Sequence, residues 1–254
     1  NTKELEERYA KAVAAHKAGR LVEAETIYAQ ILKLVPQADS VLTNMAALQY
    51  TKGNFQEALK LSDKALAVNP INLDAVINRA AALLAVGDTN QAALAYQKVL
   101  QLDEKNAAAH YNLGNIHFQR GELALSEKKF RRATALKPDL FQAQFNLGNV
   151  LAKTEQPLEA LSSFEKALAA NPAHVGANHN LAALLAELGD WPAAWRQLEL
   201  GLEIAPDAAI LWTLKGKFLH DVGKFHEALA AIEKGLALDP TSVDRWIQKG
   251  NLLR

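Results

Sequence analysis

The chain has no cysteine among its 254 residues, which removes disulfides, thiol catalysis and cysteine-bound zinc together. That absence fits an oxidising compartment as well as a reducing one. There is no net charge either: 28 Lys and Arg balance 28 Asp and Glu, so no global field draws in nucleic acid or an anionic membrane. The one basic cluster, Lys128, Lys129, Arg131 and Arg132, reads as a solvated helix face. The longest stretch without Asp, Glu, Lys or Arg, 167–186, is about the length of a membrane span. Asn171, Pro172, His174, Gly176, Asn178, His179 and Asn180 make it too polar and too broken for insertion. No run of alternating Val, Ile and Thr is bounded by turns, so no strand is expected.

Catalytic signatures are missing as well. The sequence contains no GxxxxGK[ST], GxSxG, HExxH or dinucleotide glycine fingerprint. Of the seven histidines, His110 and His117 lie at packing positions of one helix, with no third ligand at a suitable spacing. His174 and His179 straddle a helix start, and His220 and His226 straddle a turn. No metal or cofactor is expected, and the chain reads as a binder and not an enzyme.

What is there is periodic. Six of the eight prolines fall on one comb of period 34, at 36, 70, 138, 172, 206 and 240, with Glu104 in the skipped slot. Glycines keep the same period at 19, 53, 87, 121, 189 and 223, with Glu155 in the vacant place. A third comb reads Ala24, Ala58, Ala92, Ser126, Ala160, Ala194 and Ala228. Units starting at 5, 39, 73, 107, 141, 175 and 209 give seven full repeats, and 243–254 resembles the first half of an eighth. Apolar spacing inside each unit is helical. Glycine ends the first helix and proline stops the second, so each unit is expected to be two antiparallel helices. Half the residues are apolar, enough for one elongated core in which each repeat buries its face against its neighbours.

A 34-residue helix pair with small residues at positions 8 and 20, a large one near 24 and Pro at 32 resembles the tetratricopeptide repeat. Position 8 reads Ala12, Ala46, Ala80, Gly114, Gly148, Ala182, Gly216 and Gly250, and position 24 reads Tyr28, Ser62, Tyr96, Phe130, Phe164, Leu198 and Ile232. The resemblance covers practically the whole chain. It implies an all-α, right-handed superhelical solenoid, a single domain over 1–254, with first helices lining a concave groove.

On the first helix, positions 4, 7, 8 and 11 share one stripe at about 100° per residue, and position 6 lies about 200° round from it. That outward position holds Asn44, Asn78, Asn112, Asn146 and Asn180 in five consecutive repeats. Asn is a middling-to-poor helix former, so the choice costs a few tenths of a kcal/mol each time. Two readings compete. The amides either bond the neighbouring helix and fix repeat geometry, or grip the backbone of an extended peptide with one acceptor and two donor protons each. Asparagine ladders of the second kind are known in superhelical tetratricopeptide domains. This sequence is most similar to those of the O-linked N-acetylglucosamine transferases, with kinesin light chains a further example. The resemblance implies a groove that also contains Asn115, Asn149, Tyr50, Ile77, Leu84, Tyr111, Phe118, Phe145 and His179. Chaperone-binding relatives clamp carboxylates with Lys or Arg at positions 2, 5 or 6; no full repeat here has either there.

The expected function is therefore a scaffold that binds extended segments of partner proteins, with no nucleic-acid or membrane partner. The alternative is the substrate-recruiting part of a larger glycosyltransferase-like enzyme whose catalytic domain lies beyond Arg254. The chain begins at Asn1 without Met, so an initiator, signal peptide or upstream segment is expected to have been removed. Apolar surface at Trp246, Ile247, Leu252 and Leu253 raises a third expectation, a homo-oligomer formed through the terminal helix.

Overall fold

In the computed structural model, which describes residues 2–253, each 34-residue unit becomes two α-helices. The expected domain ends at 1 and 254 lie outside the described residues. The chain groups into two compact units that divide between 136 and 137. The first unit holds α1 (Thr2–Lys17), α2 (Leu21–Leu34), α3 (Asp39–Thr51), α4 (Phe55–Val68), α5 (Leu73–Ala85), α6 (Thr89–Leu102), α7 (Ala107–Gln119) and α8 (Leu123–Leu136). The second holds α9 (Phe141–Lys153), α10 (Pro157–Ala170), α11 (Val175–Glu187), α12 (Trp191–Ile204), α13 (Ala209–Asp221), α14 (Phe225–Leu238) and α15 (Val243–Leu252). Among the described residues there are fifteen helices and no strand. From α3 onward, each first helix starts at the residue that opens a repeat.

The turn inside each repeat needs one residue in the left-handed region. Glycine takes it at 19, 53, 87, 121, 189 and 223, with φ between 74° and 87°. At Gly53 the N–H donates to Tyr50 O at 2.9 Å and the next N–H, of Asn54, reaches Gln49 O at 2.9 Å. These bonds use carbonyls that the ending helix leaves without a partner. Glu155 fills the same role with φ 58°, and Gln156 N–H still reaches Leu151 O at 2.9 Å. The turn keeps its shape; the cost falls on the Cβ of Glu155, and Pro157 opens α10 behind it.

Between the two helices of a repeat the small residue at position 8 meets the large one at position 24. A Cβ added to Gly114 or Gly148 would lie 2.6 Å from a ring carbon of Phe130 or Phe164. One added to Gly216 would lie 2.6 Å from Ile232. Both phenyl rings are buried, so close backbone approach is what leaves room for them. The departure at Ser126 has its own reason, because its buried hydroxyl donates to Gly114 O at 2.9 Å.

A second regularity joins each repeat to the one before it. The carbonyl of the residue on the proline comb lies beyond the second helix and needs a donor. In the second unit it receives one from position 4: Gln144 to Pro138 O (3.4 Å), Asn178 to Pro172 O (2.9 Å), Trp212 to Pro206 O (2.8 Å) and Trp246 to Pro240 O (3.0 Å). In the first unit His110 Nε2 lies 3.1 Å from Glu104 O, which makes Nε2 the protonated nitrogen. The position-4 residues are therefore joints between repeats, buried at His110, Gln144 and Asn178 and exposed at Trp246.

Candidate functional site

In the first unit the ladder asparagines stand on α3, α5 and α7, and all three are half-buried. Asn44 Nδ2 donates to the Tyr9 hydroxyl of α1 at 2.6 Å, and Asn78 Nδ2 donates to the Thr43 carbonyl of α3 at 3.0 Å. Both acceptors belong to position 5 of the preceding repeat. Asn112 Nδ2 instead turns to Ala108 O of its own helix at 2.9 Å. The Oδ1 atoms of Asn44, Asn78 and Asn112 have no hydrogen-bond partner among the described residues. Asn115 interacts within the chain.

Around them Tyr50 is exposed and its ring packs on Phe55 at 5.2 Å, while Tyr111 lies 6.0 Å from Phe130. Phe118, Ile77 and Leu84 are half-buried, the last two against the core formed by α5, α6 and α7. Burial raises the pKa of the Tyr9 hydroxyl, and its bond from Asn44 opposes the shift. The phenol thus stays protonated near neutral pH and can donate onward while accepting from Asn44.

In the second unit Asn180 Nδ2 donates to Asn149 Oδ1 at 2.7 Å, again one repeat back, and His179 Nδ1 approaches Asn180 Oδ1 at 2.9 Å. Asn146 is also engaged within the chain. Phe145 packs, tilted, between Phe164 at 6.0 Å and His174 at 4.5 Å. Gly176 lies beside this pair, where a Cβ would meet Phe145 at 3.2 Å.

The ladder amides of Asn44, Asn78 and Asn180 thus donate across to the previous repeat. This is the bond that the structural reading of the ladder requires. What the sequence did not reveal is the identity of the acceptors, Tyr9, Thr43 and Asn149. The pattern is one of place, with the acceptors one repeat upstream at position 5 for Tyr9 and Thr43 and at position 9 for Asn149. Their chemical variety hides it, since a backbone carbonyl serves at Thr43 whatever its side chain.

The other candidate groups are accounted for locally. His117 Nδ1 contacts Glu122, and His174 Nδ1 accepts from Ala177 N–H at 3.0 Å as a helix cap. Arg131 pairs with Glu127 at 2.8 Å, which leaves the basic cluster on α8 partly neutralised. No group of three His, Cys, Asp or Glu side chains suited to a metal occurs among the described residues. Nor is any described helix long and apolar enough to cross a membrane.

Four family models, each described as tetratricopeptide repeat, match residues 8–30, 77–140, 151–218 and 209–242. No curated protein sequence matches. Among solved structures, the C-terminal part of a TPR repeat-containing protein from Cytophaga hutchinsonii has a TM-score of 0.73 at 18% identity, covering 94% of this chain and 98% of that one. A tetratricopeptide repeat protein from Parabacteroides merdae has a TM-score of 0.65 at 20% identity, with coverage of 99% and 100%. YrrB, described as a TPR protein with an unusual peptide-binding site, has a TM-score of 0.63 at 22% identity, with coverage of 74% and 97%. At these identities the likeness concerns the fold.

Proposed function

This chain belongs to the tetratricopeptide-repeat family, whose fold suggests a protein–protein interaction scaffold, and from that premise we propose that it holds extended peptide segments of partner proteins against its asparagine-bearing first helices. The observation that carries the reading is the row of carbonyl oxygens of Asn44, Asn78 and Asn112, on half-buried residues and lacking partners among the described residues. With the donors of Asn44 and Asn78 committed to the preceding repeat, the amides are pre-oriented acceptors for peptide N–H groups. Bonds to the backbone hold a segment whatever its side chains, and Tyr50, Tyr111 and Phe118 supply apolar contact. The unusual peptide-binding site ascribed to YrrB is consistent with such a use of this fold.

Asn112 gives the cleanest test, because its amide donates only within its own helix. Asn112→Ala should leave stability level or slightly raised, since Ala is the better helix former. Affinity for a peptide selected from a displayed library should fall by about two- to twelvefold, the equivalent of one neutral hydrogen bond at about 0.5–1.5 kcal/mol. Asn78→Ala should lower stability by about 1 kcal/mol, through its lost bond to Thr43. Calorimetry and thermal unfolding on the two variants decide the matter: unchanged affinity in both would leave the ladder a brace and nothing more.

Two further expectations belong to the same proposal. The 34-residue period runs on through 136 and 137, which argues for one solenoid domain over 1–254. Limited proteolysis that readily released the two units as stable fragments would overturn it. A second copy is the proposed cover for the apolar stripe of α15, where Val243, Trp246, Ile247 and Leu253 are exposed. Trp246 and the open position at Gly250 are one turn apart, so two antiparallel copies of this helix could fit each indole over the other's glycine. Light scattering that finds a monomer at every concentration rejects that dimer.

A further inference from the structure

On the side opposite the ladder, the second helices of neighbouring repeats leave a furrow floored by the first helix between them. Two such furrows contain contacts made by the chain's own side chains, although an open volume of about 650 Å³ remains along the α4 wall beside Asp63. Between α4 and α6, Arg79 reaches up from α5 and pairs with Asp63 at 2.7 Å. Between α12 and α14, the indoles of Trp195 and Trp212 pack on Leu219 and Ala231, and the Lys234 ammonium sits 3.8 Å from the Trp212 ring centre.

The furrow between α10 and α12 lacks all of these fillers. Three periods on from Arg79 and Asp63, the same pair of positions holds Leu181 and Glu165, so Glu165 loses its cation. Asn178 and Leu200 stand where the next furrow has Trp212 and Lys234. Asn178 is short and already satisfied, donating to Pro172 O at 2.9 Å and accepting from Gln197 at 2.5 Å. What remains is an open furrow of about 660 Å³ with Leu181 and Leu185 on its floor and Leu161 and Leu168 along one wall. Glu165 on the α10 wall and Arg196 on the α12 wall are exposed, and neither has an ion-pair partner among the described residues.

We propose that this furrow is a docking site for an amphipathic helix of a partner protein, which presents a tryptophan to the leucine floor, a basic residue to Glu165 and an acidic residue to Arg196. The adjoining furrow supplies the template for the aromatic, because an indole fills it. The charges follow from the rim, which carries Glu165 on the α10 wall and Arg196 on the α12 wall, where Asp190 is already engaged in capping Ala193 N–H. A helix is the element that packs between two others by setting its ridge into their groove. The site is independent of the asparagine ladder and lies on another face of the same helices.

The probe is a synthetic alanine-based helical peptide with one Trp, flanked on opposite sides by Lys and Glu, titrated into protein with labelled leucine methyl groups. Shifts are expected at Leu161, Leu168, Leu181 and Leu185, and a peptide with Ala in place of Trp should produce none. The mixed-charge peptide should bind about fivefold more tightly than versions flanked by two Lys or two Glu. Arg196→Glu, an exposed change that makes both walls acidic, should transfer that preference to the two-Lys peptide. Asn178→Trp should close the furrow with an indole placed as Trp212 is and abolish binding. If that variant does not fold, the Arg196→Glu result alone decides. Shifts at other leucines, no shift at all, or a preference that Arg196→Glu leaves unchanged would overturn the proposal.

Discussion

At Gly148 an added methyl group would lie 2.6 Å from the ring of Phe164, which is 1% exposed and has nowhere to withdraw. Replacing this glycine with alanine gains about 1 kcal/mol of helix propensity. Forcing a methyl group into a filled core costs about 1–3 kcal/mol. The second effect should win, and denaturant unfolding of Gly148→Ala is expected to show a net loss of up to about 2 kcal/mol. Adding Phe164→Leu should recover part of it, because Ala182 and Leu198 are that same pair one repeat later. Glu155 presents the opposite case. Its φ of 58° is a conformation that costs a residue with a Cβ about 1–2 kcal/mol. Glycine there pays more unfolded-state entropy, so Glu155→Gly should stabilise by a net amount of about 0.5–1 kcal/mol, read as a raised midpoint.

Among the helices, α11 depends on an uncommon cap. His174 Nδ1 accepts from Ala177 N–H, which only an unprotonated nitrogen can do, and the ring is held between Phe141 at 5.5 Å and Phe145 at 4.5 Å. Burial lowers the pKa of His174, as it does those of His110 and His16. The unfolded chain therefore takes up these protons first as pH falls through about 6.5, so it binds more protons than the folded chain does. Stability is fully present above that pH and is lost as pH falls towards the lower folded pKa values. Thermal melts between pH 8 and pH 5 should show the decline. His174→Asn keeps a competent cap with no titrating group. Its melting point should fall less steeply with acid than that of the parent chain, and an identical slope would remove His174 from the explanation.

At the scale of each compact unit, the helices that pack most closely are immediate or next-but-one neighbours along the chain. Such arrays are stabilised by local terms and nearest-neighbour interfaces, so damage should stay near its origin. Hydrogen exchange on Gly148→Ala is expected to show reduced protection in α9, α10 and α11, with α1 to α4 much less affected. Equal loss along all fifteen helices would mean that the chain opens as a single cooperative body.

The repeat length, the helix boundaries and the inward stripe were all legible in the sequence, because backbone turns and close helix contacts each demand a particular residue at a fixed interval. Gly53, Pro70 and Gly114 announce themselves by what no other residue does as well there. Even Glu155 was placed correctly by its slot, against its own conformational preference. The partners of the ladder were not legible. Asn44 reaches a phenol, Asn78 a backbone carbonyl and Asn180 another amide, and a hydrogen bond asks only for an acceptor in the right place. The joints from position 4 were hidden for the same reason, since His110, Gln144, Asn178 and Trp212 share a donor and little else. The sequence by itself determined where each helix begins and which side it buries, because steric demands select residue types. Only the tertiary structure decided which polar atoms meet, because hydrogen bonds select positions in space and many residue types can supply them.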